Sequence, residues 1–236
     1  MNERVTADRR CKLEELSRRL GVSFKHIGWL HQALTHTSYA NESRVSIEHN
    51  ERLEFLGDAV LELVTSEFLY MNHPKMPEGE ATRKRASMVC EQTLALCAKE
   101  IDLGSYLYLG KGEELTGGRE RASVTSDAME ALIGAIYLDG GFTSAKEFVE
   151  KFVLNGIEEK QLFFDSKTIF QEMMQSITTE SIRYELVKEE GPDHCKTFTI
   201  ELFVGDRSAG CGSGKSKKAA EQAAAYDAIL KLRKEK

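Results

Sequence analysis

The first part of the chain, to about residue 160, constrains the fold most, because its apolar residues recur at helical spacing and no segment alternates as a strand does. A segment from Lys12 to Gly21 ends on a glycine that stops a helix. It is followed by an amphipathic segment over 25–40, a helix that breaks near Pro74, and a long periodic stretch over 80–101. Two further helical segments come next, so we predict an all-helical larger domain.

Beyond about residue 160 the spacing changes, and strand alternation appears between two helical segments. Residues 182–190 and 196–204 alternate with period two, and Gly205 followed by Asp206 predicts a tight turn into a third short strand. An alanine-rich helix follows over 215–234. We therefore predict a small α+β domain of order α-β-β-β-α, with both helices on one face of an antiparallel sheet. The predicted boundaries are 1–158 for the helical domain, 159–164 for a linker and 165–236 for the small domain.

The net charge of −6 lies entirely outside the small domain. Residues 163–236 hold 12 basic and 12 acidic side chains, which leaves 20 basic and 26 acidic ones for the rest of the chain. An acidic domain is unlike a phosphate-binding surface. Any affinity for nucleic acid therefore has to come from local patches or from bound cations.

Nothing in the sequence indicates a membrane or secreted protein. No apolar run reaches membrane-spanning length, and the segment MNERVTADRR at the start lacks the apolar core of a signal peptide. The cysteines are scattered and form no C-x-x-C pair, so we expect reduced side chains rather than a disulfide or zinc framework. These are Cys11, Cys90, Cys97, Cys195 and Cys211. We expect a cytoplasmic protein with no membrane partner and no organic cofactor.

The segment EHNERLEFLGDAVLELV, residues 48–64, combines a core face with an acidic face. At about 100° per residue, one face carries an apolar stripe of Leu53, Leu56, Val60, Leu63 and Val64. The acidic side chains fall on the opposite face within roughly 80° of one another, and they are Glu51, Glu54, Asp58 and Glu62. Like charges one turn apart and a glycine at position 57 both weaken an isolated helix, so something is expected to offset them.

A second pair of acidic residues suggests what offsets these unfavourable contributions. Asp127 and Glu130 lie three residues apart on one face of an otherwise apolar helix. Taken alone, an acidic run is usually a solvated face. If the two acidic helices converge, however, their carboxylates need hard divalent cations, and oxygen ligands favour Mg²⁺ or Mn²⁺ over zinc. His36 and His49 form no H-x-x-x-H pair, and we expect them to be surface or core residues.

Several motifs then follow one another in an order that resembles bacterial ribonuclease III, an endonuclease specific for double-stranded RNA. These motifs are NERLEFLGDAVL at 50–61, ALTHTSY upstream of it, PEG at 77–79, LYLGKGE and GGRER within 107–121, and DAMEALIGAIYLDGG from 127. The resemblance covers essentially the whole chain. It implies a helical endonuclease domain followed by a double-stranded RNA-binding domain.

The resemblance also assigns the acidic residues. It implies that Mg²⁺, with Mn²⁺ as a substitute, is held by Glu54, Asp58, Asp127 and Glu130. Glu51 and Glu78 match two further acidic positions of the family's cleavage centre. Glu62 lies on the acidic stripe but outside the family motif, and we expect it to be an exposed side chain.

The small domain resembles a double-stranded RNA-binding domain, which reads 2′-hydroxyls and phosphates across the grooves of A-form RNA. The matching positions are Thr168, Gln171, Glu172, His194, Lys215, Ser216, Lys217 and Lys218. Lysines at the start of a helix are placed where the helix dipole already favours phosphate.

The resemblance further implies hydrolysis of double-stranded RNA to products with 5′-phosphates, 3′-hydroxyls and short 3′ overhangs. Precursors of ribosomal, messenger and transfer RNA are the implied substrates. It also implies a homodimer in which Phe55, off the apolar face of its helix, contacts the partner; packing within its own domain is the alternative. Two other functions stay open on the residues alone: a non-catalytic RNA-binding protein, and a metal-dependent phosphohydrolase of small molecules.

Overall fold

The computed structural model of the protein describes residues 5–157, 162, 165–175, 177–192 and 196–234. The chain forms two compact units, Met1–Ile157 and Glu158–Lys236. Most of the predicted linker, 159–164, lies outside the described residues. Leu162, the exception, is buried among the apolar side chains of the second unit.

The first unit is helical, as predicted. Its helices are α1 (Ala7–Leu20), α2 (Ile27–Ala33), α3 (Thr37–Glu42), α4 (Glu51–Asn72), α5 (Glu78–Met88), α6 (Glu91–Glu100), α7 (Lys111–Leu115) and α8 (Ala122–Val149). Helix α1 ends where expected, because Gly21 takes the left-handed conformation with φ of 72°. Helix α8 is interrupted at Gly141, where φ is 80°.

Two predictions of continuous helix are wrong. Residues 25–40 form α2 and α3 instead, because Thr35 between them pairs with Tyr108 in an isolated parallel bridge. Residues 80–101 form α5 and α6, and the break follows from side chains that bond the backbone. The hydroxyl of Thr93 donates to the carbonyl of Ser87 at 3.2 Å, which occupies a carbonyl that a continuous helix needs.

Helix α8 is the centre of the first unit, and α2, α4 and α6 pack around it. Its core side chains are fully buried, among them Ala128, Met129, Leu132 and Ile133. The carboxylate of Asp139 accepts hydrogen bonds from the backbone N–H groups of Lys25 and His26 at 2.6 and 2.8 Å, which ties the residues just before α2 to α8. Core packing holds both α2 and α4 against α8, and these bonds add to it for α2.

The crossing of α4 and α8 is a backbone-to-backbone contact between two glycines. A Cβ at Gly57 would lie 1.8 Å from the carbonyl oxygen of Glu130, and a Cβ at Gly134 would lie 2.2 Å from the carbonyl oxygen of Leu53. No side chain fits at either position. Gly57 is therefore needed for close approach, although it weakens its own helix.

The second unit has the predicted order and topology. Its elements are α9 (Ser166–Gln175), β1 (Ile182–Glu190), β2 (Thr197–Val204), β3 (Arg207–Gly214) and α10 (Lys217–Lys234), and the strands form an antiparallel sheet in the order β1-β2-β3. Helix α10 packs on β2 and β3. The contact is again one of small residues, since a Cβ at Gly212 would lie 2.2 Å from the backbone nitrogen of Ala224.

No helix within the described ranges is both long enough and apolar enough to cross a membrane. Among the described residues, no disulfide joins Cys11, Cys90, Cys97 or Cys211. Cys195 lies outside the described residues.

Replacing Gly57 with Ala is expected to lower the free energy of unfolding by more than about 3 kcal/mol, because ordinary overpacking costs about 1–3 kcal/mol and here the methyl overlaps backbone atoms. Urea or thermal unfolding measures the change. Gly79→Ala is the matched control, since a Cβ at Gly79 meets no atom within 4 Å. Equal unfolding free energies for the two variants would contradict the proposed crossing.

Candidate active site

The glycine crossing brings acidic side chains of α4 and α8 into one cluster. Glu54 and Asp58 stand one turn apart on α4, on either side of Gly57. The charges of Asp58, Glu54 and Asp127 all act on the carboxyl of Glu130. The two acidic pairs predicted from separate segments are therefore neighbours, and we name these four residues the acidic cluster.

The cluster disfavours negative charge. Burial and the charges of Asp58, Glu54 and Asp127 raise the pKa of Glu130 to about 8. Burial also raises the pKa of Glu54, with further contributions from Asp127, Glu51 and Asp58. The pKa of Asp127 is raised by burial as well, while a hydrogen bond from the Ser126 hydroxyl and the nearby His36 partly oppose that shift.

Helix ends offset part of this repulsion. Glu51 and Glu54 lie in the first turn of α4, where the partial positive charge of the helix N-terminus favours carboxylates. Within the described ranges, none of the four cluster residues takes part in an ion pair with Lys or Arg. The acidic cluster is thus a group of like charges that no described Lys or Arg side chain neutralises by an ion pair.

A divalent metal fits this donor set. No group of three or more His, Cys, Asp or Glu side chains in the described part of the chain has, as it stands, the geometry to hold a metal ion. The chemistry of the cluster carries the fit instead. Its donors are carboxylate oxygens, and the raised pKa values of Glu54, Asp127 and Glu130 show that burial and neighbouring charge oppose the ionisation of these three groups. A hard cation such as Mg²⁺ matches oxygen donors and removes that opposition.

The other predicted acidic residues differ in how they relate to the cluster. Glu51 is exposed, and its charge contributes to the raised pKa of Glu54. Glu78 is exposed at the first residue of α5, and no interaction among the described residues joins it to the acidic cluster. Glu62 was expected to be exposed, but it is half-buried and pairs with Arg85 of α5, whose Nη2 lies 3.6 Å from its carboxylate.

Three residues beside the cluster were not assigned from the sequence. Glu91 opens α6, and its charge contributes to the raised pKa of Asp127. His36 opposes the rise in the pKa of the same carboxyl, and the Nδ1 atom of His49 lies 3.9 Å from a carboxylate oxygen of Glu51. Glu91 and His36 are both far from Asp127 in the sequence, so the folded chain was needed to find their relation to it.

An apolar strip runs along α4 on the side turned to solvent. Phe55 is 82% exposed, Leu63 57%, Tyr70 81% and Met71 70%. Leu63 was predicted on the core face, and that prediction is wrong. Phe55, Leu63 and Tyr70 lie about two helical turns apart and within about 80° of one another around the helix axis, and Met71 follows Tyr70 directly. Phe55 does not pack within its own domain.

The predicted RNA-contacting residues of the second unit lie at two helix surfaces. Thr168, Gln171 and Glu172 are exposed on α9. Lys215, Ser216, Lys217 and Lys218 are exposed at the start of α10. His194 lies outside the described residues.

Contacts within the second unit hold these two surfaces together. The Ser216 hydroxyl accepts a hydrogen bond from the N–H of Ala219 at 3.2 Å and so caps α10. The side-chain oxygen of Gln222 accepts one from the N–H of Lys167 at 2.9 Å, and the ammonium of Lys167 pairs with Glu221. This end of α10 has the features that favour an anion, because backbone N–H groups of the first helical turn and the adjoining lysines are both located there.

Two family models match the chain: a ribonuclease-III-like model over residues 27–157 and a double-stranded RNA binding motif over residues 166–232. A ribonuclease 3 from Caldanaerobacter subterraneus subsp. tengcongensis is 49% identical in an alignment 228 residues long. The alignment covers 93% of this chain and 98% of that protein. A ribonuclease 3 from Pelotomaculum thermopropionicum is 47% identical in an alignment of the same length, 228 residues, which covers 95% of this chain and 95% of that protein.

Among solved structures, the nuclease domain of ribonuclease III from Campylobacter jejuni matches with a TM-score of 0.57 and 40% identity, covering 61% of this chain and 96% of that one. These matches confirm the resemblance predicted from the motifs and the fold class that it implies.

The raised pKa of Glu130 predicts that the metal-free protein loses stability as the pH rises. The unfolded carboxyl ionises near pH 4.5, whereas the folded one keeps its proton to about pH 8, so the penalty grows between these values. Glu130→Gln removes it. In EDTA we expect this variant to gain about 1–2 kcal/mol of unfolding free energy at pH 8, discounted for solvent screening, and much less at pH 5.

Thermal unfolding at both pH values makes the measurement. Glu62→Gln, on α4, is the control, because Glu62 is paired with Arg85 and its loss relieves no repulsion. A Glu130→Gln variant whose gain is the same at pH 5 and pH 8 would count against the raised pKa.

Proposed function

The chain belongs to the ribonuclease III family, and from that premise we propose that Glu54, Asp58, Asp127 and Glu130 hold the divalent metal ions with which it cleaves RNA. The protein is a double-stranded-RNA-specific endoribonuclease, and catalysis in its family depends on metal ions. The observation that carries the assignment of residues is the shared electrostatics of the four carboxyls across the glycine crossing. We take Mg²⁺ as the metal, with Mn²⁺ as a substitute, because all four donors are carboxylates.

Each side chain of the site has a task that follows from its place. When bound, the metal supplies a nucleophilic water at neutral pH and withdraws charge from the scissile phosphate. Glu130 keeps its proton at neutral pH until a cation approaches, so it binds metal with release of that proton. Glu54 and Asp58 present oxygens from successive turns of one rigid helix, and the Ser126 hydroxyl, 3.3 Å from Oδ1 of Asp127, orients the fourth ligand.

Glu51 lies beside the cluster, and Glu78 is added to the proposed cleavage centre because it matches an acidic position of the family. Both are exposed, so they remain available to water molecules or to a second metal ion. A carboxylate outside the first set of ligands orients such groups by accepting hydrogen bonds. We propose products with 5′-phosphate and 3′-hydroxyl ends and short 3′ overhangs, and precursors of ribosomal, messenger and transfer RNA as substrates.

The second unit supplies affinity for duplex RNA. Thr168, Gln171 and Glu172 are proposed to meet 2′-hydroxyls in a minor groove, while Lys215, Lys217 and Lys218 meet phosphates. The proposal is supported by their exposure and by the bonds that fix α9 against α10. Ser216 caps α10, which keeps the backbone N–H groups of its first turn aimed at the same phosphates.

We also propose a homodimer through the first unit, in which Phe55 contacts the partner. The exposed apolar strip on α4 supports this, because several large apolar side chains exposed on one helix are typical of an interface. The Campylobacter jejuni nuclease domain is described as having a region involved in dimer formation. Two active sites, each cutting one strand, would then produce staggered ends.

Glu130→Gln is expected to reduce cleavage of duplex RNA by about a thousandfold or more, since losing a metal ligand removes several kcal/mol of transition-state stabilisation. RNA binding is expected to be unchanged. A gel assay with labelled duplex in Mg²⁺ measures both. Glu62→Gln serves as the control acidic substitution and should cleave normally. Cleavage by the Glu130 variant at the rate of the unsubstituted protein would refute the assignment.

Lys217→Ala is expected to reduce the slope of log affinity against log salt concentration by about 1, because one phosphate contact is lost. Filter binding to a duplex at several salt concentrations gives the slope. Lys231→Ala is the control, because the Lys231 ammonium lies 2.7 Å from Asp227 towards the other end of α10. An unchanged slope for Lys217→Ala would show that this lysine does not meet a phosphate.

Sedimentation at micromolar protein is expected to show a dimer, and Phe55→Arg is expected to give a monomer by placing a charge in the apolar strip. Ile177→Arg is the control, because Ile177 is also exposed, at 62%, but lies in the second unit. A monomeric profile for the unsubstituted protein would remove the dimer proposal.

A further inference from the structure

A hydrogen bond between α9 and α10 joins the two surfaces of the second unit that are proposed to contact RNA. Helix α9 begins at Ser166, and the backbone N–H groups of its first turn have no acceptor within the helix. The N–H of Lys167 in that turn donates instead to Oε1 of Gln222 at 2.9 Å. Gln222 lies in the second turn of α10, so a side chain of one helix caps the start of the other.

The side chain of Lys167 makes two further contacts at the same place. Its ammonium pairs with the carboxylate of Glu221 and lies 4.7 Å from the ring centre of Tyr184 on β1. Both side chains of the ion pair are partly exposed, and such pairs contribute little by themselves. A partly buried backbone N–H that loses its acceptor costs more. Gln222 is therefore the residue on which this contact depends most.

The apolar contact between the two helices does little to fix how far α9 lies along α10. Phe170 of α9 is fully buried in this core. The buried residues that α10 contributes are mainly alanines, namely Ala220, Ala224, Ala225 and Ala228. Short side chains set the separation of two helices, but they form shallow ridges that resist sliding and rotation weakly. A hydrogen bond is directional, so the bond from Lys167 to Gln222 can fix the position that the alanines leave undetermined.

This bond lies close to both sets of residues that are proposed to contact RNA. Thr168 follows Lys167 directly, and Lys218 precedes Gln222 by four residues, which is about 6 Å along a helix. Duplex RNA presents its 2′-hydroxyls and its phosphates at spacings that the A-form helix sets. A domain that contacts both at once must hold its own two surfaces at a matching spacing.

We propose that Gln222 is a positioning residue that sets the spacing between the minor-groove side chains of α9 and the phosphate-binding lysines of α10, and thereby determines the preference for duplex RNA over duplex DNA. This inference rests on the proposed function, in which Thr168, Gln171 and Glu172 meet 2′-hydroxyls. Without the hydrogen bond the lysines still meet phosphates, but α9 is no longer held in register with the groove. The loss falls on RNA, because DNA has no 2′-hydroxyls to contact.

The test compares binding to one sequence as duplex RNA and as duplex DNA. Filter binding of the full-length protein in EDTA, at several salt concentrations, gives both affinities without cleavage. Gln222→Met removes the acceptor and keeps the length of the side chain. We expect the ratio of RNA affinity to DNA affinity to fall by about tenfold, since each weakened hydrogen bond changes affinity by roughly two- to tenfold. The slope of log RNA affinity against log salt concentration should not change, because the lysines remain.

Two further variants serve as controls. Gln222→Glu keeps an acceptor oxygen at the same position and should retain the affinity ratio, because its added negative charge weakens binding to both duplexes alike. Gln175→Met also removes a side-chain amide, but at the exposed last residue of α9, about 12 Å along the helix from Lys167. It should bind both duplexes as the unsubstituted protein does.

Hydrogen exchange of the Lys167 amide reports the bond itself, without RNA. We expect the amide to be protected in the unsubstituted protein and in Gln222→Glu, and to exchange faster in Gln222→Met. Thermal unfolding checks that each variant is folded.

Thr168→Ala separates this inference from the proposed function. If Thr168→Ala leaves the affinity ratio unchanged, the proposed minor-groove contact is refuted, and the inference with it. If Thr168→Ala lowers the ratio but Gln222→Met does not, or Gln222→Met weakens RNA and DNA binding equally, only the inference is overturned. An equal fall in the ratio for Gln222→Met and Gln222→Glu, or an unprotected Lys167 amide in the unsubstituted protein, overturns it as well.

Discussion

The close crossing of two helices determines what the acidic residues can do. Gly57 and Gly134 let the backbones of α4 and α8 meet with no side chain between them. At a larger separation, Glu54 and Asp58 would be screened from Glu130 by solvent, and each carboxyl would ionise as an ordinary surface group. The acidic cluster therefore depends on glycine, which has no side chain, at both positions of the crossing. The same device recurs in the second unit, where glycines of β3 admit the alanine face of α10.

The carboxylates of the acidic cluster repel one another, and a metal ion bound there would relieve that repulsion. Burial and neighbouring charge together raise the pKa of Glu130 to about 8. A protein that needed only to fold would gain stability from replacing such a group. An acidic first unit that approaches a polyanion needs a cation between them, whereas the second unit can use its exposed lysines directly. On the proposed assignment, substrate binding and substrate cleavage thus depend on different charges in different units.

Much of the fold could be predicted from the sequence, because local patterns determine it. Helical spacing, alternation over 182–190 and the turn at Gly205 follow from neighbouring residues alone. The breaks between α2 and α3 and between α5 and α6 could not be predicted. They depend on bonds such as the pairing of Thr35 with Tyr108, which joins residues far apart in the chain.

The residues of the candidate site could likewise be predicted from the sequence only in part. The acidic pairs on α4 and α8 were visible because each pair lies within one helix, and the family motifs connected them. Glu91 and His36 were missed, because their relation to Asp127 exists only after three separate segments have packed. Leu63 was assigned to the core by spacing, since periodicity gives the apolar faces of a helix but not which apolar residue meets solvent.

The central claim is that the four carboxyls share one electrostatic environment that a divalent metal ion completes. The most direct test is a ¹³C NMR titration of the glutamate side-chain carboxyls, with Glu130 identified by substitution. In metal-free protein we predict a pKa of about 8 for Glu130, and with saturating Mg²⁺ we predict that the group ionises at much lower pH. A pKa near the ordinary 4.5 for Glu130, the same with and without Mg²⁺, would contradict the account.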